Sequence, residues 1–411
     1  PDTPLLSPAY ATRPQDRPTS VRGRIFTNWR TSKDLENDSR YSYARVGTWL
    51  DVQNPFGDGG RLLFEGDSDY REFEAGTRDE SDANARVQRF SYAWGLDQYA
   101  PLRAEVGRFY STYLPQLGVI DGSEGAVRFE NGWSLGAGAG LYPTTGEELP
   151  SGDDYGFHFF ADYQSEDSDQ WMQGTLGFQQ TWHKGEPDRS VLIGRLNARP
   201  TEKLSVFGSV LVDLYGENDT VEDQAAEVTQ LFTQANYMLD KVSGVNVSLT
   251  RISWPELKRD GYVDLPDDLV LNGYVDRVSA SVWRRLGDSW RVSARTHYWK
   301  DQDRNGYGGE VSADWYSMDA HNTSAYASLY YEDSAFTKGV GYRLQGQRDI
   351  GPARLFVGYD AFAYSSETLT SGSSDYMRHT LRADVSWSTG RWYWDIETTY
   401  DLGDSEESIG L

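Results

Sequence analysis

From Thr19 to Leu402 the chain keeps switching between apolar and polar at every second residue, in segments of about 11 residues separated by polar breaks. The clearest stretch runs from Tyr376 to Leu402. Met377, His379, Leu381, Ala383, Val385 and Trp387 alternate with Arg378, Thr380, Arg382, Asp384 and Ser386. After Ser388-Thr389-Gly390, Trp392, Trp394, Ile396, Thr398, Tyr400 and Leu402 alternate with Tyr393, Asp395, Glu397 and Thr399. Strand side chains point to opposite faces with period two, so each segment carries one mostly apolar face and one charged face. A tilted strand of about 9–11 residues crosses a bilayer, and Trp and Tyr favour its two interfaces. The stretch therefore predicts a transmembrane hairpin.

The pattern repeats along the chain. Ala44, Val46, Thr48, Leu50 and Val52 share a face, as do Phe90, Tyr92, Trp94 and Leu96, and as do Phe157, Phe159, Ala161 and Tyr163. In all, 21 candidate strands follow one another from residue 20. Tight turns are expected at Asn131-Gly132, Glu166-Asp167-Ser168, Arg199-Pro200-Thr201, Leu239-Asp240-Lys241, Leu286-Gly287-Asp288, Asp349-Ile350-Gly351 and Thr389-Gly390. They alternate with longer polar loops at 31–40, 73–85, 144–154, 216–225, 254–270, 300–308 and 366–375. This alternation resembles bacterial outer-membrane barrels. It implies an all-β, antiparallel up-and-down transmembrane β-barrel of about 20–22 strands, with short periplasmic turns and long acidic extracellular loops. A soluble sandwich has no reason to keep it.

Residues 1–19 hold five prolines without alternation and are expected to be extended, ahead of a single barrel over 20–411. Bacterial single-chain barrels have even strand numbers. Ser408-Ile409-Gly410-Leu411 is accordingly read as the start of a twenty-second, truncated strand closing against Val21–Trp29.

Composition removes several alternatives. No run approaches the 18 apolar residues of a membrane helix. The 27 Tyr, 14 Trp and 16 Phe exclude a disordered chain. A net charge of −24 speaks against nucleic acid as a partner. Absence of cysteine removes disulfides, thiolate metal sites, cysteine nucleophiles and covalent haem attachment. The five histidines, His158, His183, His297, His321 and His379, form no metal or catalytic motif, so no metal, cofactor or enzyme activity is expected. Gly136-Ala137-Gly138-Ala139-Gly140 lies within an alternating segment. Its glycines there mark close backbone approach or lumen-side space rather than a phosphate cradle.

An arginine facing lipid at mid-depth costs about 2–4 kcal/mol, so the charged registers must face the lumen. The expected lumen wall comprises Arg277, Arg291, Arg295, Arg343, Arg354, Asp360, Arg378, Arg382, Asp384, Asp395 and Glu397. Its mixed signs suggest cross-strand ion pairs. Barrels near 22 strands are too wide for wall side chains to fill, and a leader of about 20 residues is too short for a folded plug. The bore must then be narrowed by infolded loops, left open, or occupied by another protein. The segment Tyr113–Gly122 is unusually apolar for an external loop. Tyr113, Leu114, Leu117, Val119, Ile120 and Asp121 are its candidate constriction residues. A second candidate for infolding starts at Trp254-Pro255-Glu256-Leu257-Lys258-Arg259.

Val106-Gly107-Arg108-Phe109-Tyr110, the apolar loop and Asp121-Gly122 together resemble substrate-specific outer-membrane porins, such as the phosphate-selective and alginate-export families. The likeness covers about 17 residues. It implies an integral outer-membrane channel, bathed in lipid and lipopolysaccharide, that passes ions and small polar solutes. The wide, unplugged barrel is also similar in architecture to the porin component of porin–cytochrome conduits. That likeness implies a sheath around a separately encoded multihaem cytochrome.

Overall fold

The computed structural model describes residues 13–76, 78–96, 100–143, 152–165, 171–216, 219, 221, 224–258, 273–317, 321–368, 372–404 and 407–411. A first group of strands is β1 (Ser20–Asp34), β2 (Ser39–Gln53), β3 (Arg61–Ala75), β4 (Arg78–Trp94), β5 (Leu102–Tyr110), β6 (Val119–Arg128) and β7 (Trp133–Leu141). Next come β8 (Asp154–Gln164), β9 (Met172–His183), β10 (Glu186–Thr201), β11 (Leu204–Leu214), β12 (Ala226–Met238), β13 (Ser243–Ser253) and β14 (Tyr274–Leu286). The series ends with β15 (Trp290–Lys300), β16 (Asn305–Tyr316), β17 (Ser324–Asp333), β18 (Thr337–Ile350), β19 (Ala353–Thr368), β20 (Gly372–Thr389), β21 (Trp392–Gly403) and β22 (Glu407–Gly410).

Each strand pairs antiparallel with the next, and β22 closes the sheet on β1. The result is a closed 22-stranded barrel. Closure leaves no row of lipid-facing backbone groups unpaired where neighbours overlap, which is what lets a sheet sit in hydrocarbon. At the seam the overlap is short: Ser32↔Gly410, Lys33↔Ile409 and Asp34↔Ser408, extended by Thr31 exchanging hydrogen bonds with Leu411. The seam thus lies above the expected Val21–Trp29 segment, because β22 meets the far end of β1.

Burial assigns the two faces. On β10, Val191 and Ile193 are 1% and 2% exposed, while Leu192 and Leu196 between and beyond them are 45% and 40% exposed. The protected register faces the interior and the exposed apolar register faces outward. On the outer register, Trp133, Trp290, Trp315, Trp387, Trp392 and Trp394 lie towards the rim that holds the N-terminal segment. Tyr298, Tyr307, Tyr331, Tyr359 and Tyr400 lie towards the opposite rim. Between these girdles come small and aliphatic residues, as in Trp315, Ala313, Val311, Gly309, Tyr307 along β16. Eight residues at about 3.3 Å per residue, tilted by about 40°, span roughly 20 Å, close to the apolar band of an outer-membrane barrel.

The wall is uneven in height. β1 to β4 have 15, 15, 15 and 17 residues and β18 to β20 have 14, 16 and 18, against 9 or 10 for β5 to β7. Most of the segments 31–40, 73–85, 300–308 and 366–375, expected as loops, are continued strands that join in shorter connections. Beyond the bilayer both strand faces meet water, so polarity on both faces does not end a strand. The Glu166–Ser168 turn, most of the 144–154 and 254–270 loops, parts of the 216–225 loop, and residues 1–12 lie outside the described residues. The described leader docks on the β2–β3 connection, where the Asn54 amide donates to the carbonyls of Gln15 and Arg17 at 3.1 and 2.6 Å.

Candidate functional site: the lumen wall and the infolded loop

Over β2–β5 the inner register is a ladder of arginine–carboxylate pairs. Arg61 binds Asp51, Arg45 and Arg86 share Asp67, and Arg86 and Arg71 share Asp69. Arg89 and Arg103 share Glu105, which also accepts from Ser91. Asp51, Asp69 and Glu105 are each 2% exposed. A carboxylate that deep is tolerable only when charged donors meet it. These pairs went unnoticed in the sequence, although their alternating register with Leu50 and Phe64 was visible.

The β5–β6 connection turns into the barrel. Its 3-10 turn, Pro115–Leu117, brings Leu114 and Leu117 into a cluster with Phe109, Ile120, Phe160, Val191, Ile193 and Leu211, all on inner registers. Tyr113 stacks on Phe160 with centroids 4.3 Å apart, and Arg195 donates to the Tyr113 carbonyl at 3.2 Å. Leu114 sits over Gly177, where an added Cβ would lie 2.6 Å from a Leu114 methyl. Tyr113, Leu114, Leu117 and Ile120 thus gather on the inner wall. Val119 and Asp121 do not: both belong to β6, in its outward register, and Asp121 binds Arg108 at 2.6 Å. The true connection is shorter than the apolar segment 113–122, because Val119-Ile120-Asp121 alternates for only three residues before Gly122 and so hides the start of β6.

The glycines of β7 make room for part of this arrangement. A Cβ on Gly136 would lie 2.1 Å from the Phe160 ring, and one on Gly138 would lie 2.4 Å from His158. His158 is fully buried between Tyr142 Oη at 3.1 Å from Nδ1 and Glu124 Oε2 at 3.0 Å from Nε2. His183 similarly meets Asp154 at 2.9 Å, and His297 meets Glu332 at 3.1 Å. His379 lies on the outer face 2.7 Å from Tyr359 Oη. The backbone N–H of Lys258 in the second loop donates to Asp188 at 2.8 Å, so that loop's start reaches back over β11 and β12 to β10.

The inner face of β13–β20 is different. Two recesses open there. One, of about 580 Å³, is lined by Arg277, Arg295, Arg343, Arg378, Arg382 and Asp360, with Phe356 and Phe362 among them. The other, of about 480 Å³, is lined by Arg277, Arg291 and Arg295 with serines of β13–β15. Arg343 binds Asp360 at 2.9 Å, Arg295 reaches Glu310 at 3.3 Å, and Arg382 binds Glu397 at 2.6 Å. Arg354, by contrast, pairs with Asp349 at 3.0 Å beside the β18–β19 turn, away from both recesses. Asp384 faces Glu397, with Asp395 one inward position nearer the turn. Among the described residues, no group of three or more His, Asp or Glu side chains is placed to hold a metal ion.

A closed antiparallel barrel with an apolar, aromatic-girdled exterior and a charged interior has the architecture of outer-membrane β-barrels. Neither a family model nor a curated relative matches the sequence. Solved structures do. The translocation pore of the P pilus usher PapC is similar over 95% of this chain and 98% of its own, with a TM-score of 0.51 and 8% identity. OccK7 (OpdD) of Pseudomonas aeruginosa matches over 96% and 97%, with a TM-score of 0.47 and 9% identity. OccAB2 of Acinetobacter baumannii matches over 95% and 96%, with a TM-score of 0.43 and 10% identity. At these identities the likeness is one of fold.

Proposed function

We propose that the chain is an integral outer-membrane channel through which ions and small polar solutes diffuse. The observation that carries this reading is the asymmetry of the bore. Towards β2–β12 the inner wall is dressed with closed ion pairs and the docked β5–β6 loop. Towards β13–β20 it keeps recesses whose arginines stay hydrated; the side chains of Arg295 and Arg382 are 63% and 51% exposed. The rim bearing the 142–153, 215–225 and 254–273 connections is read as extracellular, in contact with lipopolysaccharide. The reading assigns no catalysis to the chain.

The experiment is incorporation of the purified barrel into planar lipid bilayers. Discrete conductance steps are expected, and a barrel that inserts yet never conducts would sink the proposal. The 22-strand circumference favours a second reading: a separately encoded protein, such as a multihaem cytochrome, could occupy the open side. Gentle purification from native membranes followed by a visible spectrum separates the two, since a stoichiometric haem partner in a closed bore supports only the sheath. Membrane fractionation checks the location.

A further inference from the structure

The inner faces of β13, β14 and β15 carry Arg277, Arg285, Arg291 and Arg295 but, among the described residues, no carboxylate. Arg285 stands directly opposite Arg291 across the β14–β15 ladder. Like charges in that position destabilise a sheet, and Asp314, opposite Arg291 on β16, offsets this on one side only. The Arg291 guanidinium lies 4.8 Å over the Trp283 ring, and its buried Nε has no hydrogen-bond partner. Ser279, Ser281, Ser293, Ser248, Thr250 and Asn246 surround these arginines. Ser293 and Ser312 hydroxyls sit 2.6 Å apart.

Of the neighbouring carboxylates, Asp314 on β16 stands directly opposite Arg291 across the β15–β16 ladder, and three others are already engaged. Glu310 holds Arg295 and Tyr326, Asp360 holds Arg343 and Tyr330, and Glu332 holds His297. Across the two recesses and the adjoining Asp314, six arginines face four carboxylates, a local excess of positive charge inside a chain of net charge −24. A guanidinium offers five N–H donors in a planar fork that matches two oxygens of a carboxylate or phosphate. Hydroxyl groups supply further donors.

From this geometry we infer that the β13–β15 shelf is an oxyanion-binding site, built on Arg277 and Arg291 with Ser279, Ser281 and Ser293. Resting on the channel reading, it makes the pore select solutes that carry carboxylate or phosphate groups, against the sign of the whole molecule.

The test pairs binding with conductance on the full chain. Equilibrium binding of labelled inorganic phosphate and of labelled succinate to the detergent-solubilised barrel is measured against excess chloride. The arm that binds identifies which oxyanion the shelf takes. The Arg277→Gln/Arg291→Gln double variant should weaken that binding about tenfold or more. In a KCl gradient the wild-type reversal potential should show anion preference, and the variant should shift it towards cations. The Arg277→Lys/Arg291→Lys variant keeps the charge and loses the fork. It should retain chloride preference while losing oxyanion binding, and it serves in place of the glutamine variant if that one fails to fold. Binding abolished by chloride, or unchanged in both variants, overturns the site and leaves the channel. Binding without any conductance overturns the channel and leaves the site.

Discussion

Some side chains in this barrel are held by a partner from a turn rather than from an adjacent strand. Asp58, in the β2–β3 connection, accepts from the Tyr92 hydroxyl at 2.5 Å and from the Trp94 indole at 2.7 Å, two outer-register aromatics of β4. The Tyr92 bond first, then the Trp94 bond and the Gly60 amide, hold its carboxyl down at about 2 from an ordinary 3.8. A depressed carboxylate pKa contributes stability above the ordinary value and loses it as pH falls through the folded one. The stability difference between wild type and Asp58→Asn, measured by thermal unfolding in detergent, should therefore be constant above about pH 5 and shrink progressively as pH falls through 3.8 towards about 2. A difference independent of pH would show that the charge on Asp58 is irrelevant. The glycines of β7 make a second residue-scale case. Gly138→Val must displace buried His158, an overpacking change of about 1–3 kcal/mol that should lower the unfolding midpoint.

Strands and loops show where sequence is informative. Lipid on one side and water on the other force period two, which is why the alternation from Trp392 to Leu402 locates β21 (Trp392–Gly403) without help from packing. Above the membrane that contrast vanishes, and the outer turns of β4, with Asp79, Glu80 and Asp82, look like a loop. The arginines of the open wall were legible because they share a register with no tolerable exit to lipid. The infolded loop was legible as an apolar connection, but its resting place was not. Leu114 meets Gly177 and Tyr113 meets Arg195, contacts between segments far apart in the chain that no local pattern encodes. This docking makes its own prediction. Leu114→Ala empties a buried site at a cost of about 2–5 kcal/mol, and Gly177→Val should push Leu114 out altogether. Both variants are expected to give noisier, larger single-channel steps, whereas steps identical to wild type would mean that the loop stays clear of the path.

At the scale of the whole molecule, the barrel is an outward apolar belt wrapped around an inward polar wall, and the two should respond oppositely to the same substitution. Val311 faces outward at mid-belt and is 64% exposed. Val311→Arg should cost about 2–4 kcal/mol in the bilayer and abolish the heat-modifiable folded band on gels. Gln347→Arg, on the inward register of β18, should leave that band intact. The uneven wall has a practical outcome of its own. Because β1–β4 and β18–β20 outgrow β5–β7, the wall is bevelled along these strands, and in the orientation proposed above an object the size of an antibody arriving from outside meets the tall hairpins first. Epitope tags set into the β1–β2 or β3–β4 hairpins should be readable on intact cells while the bore beneath them stays clear.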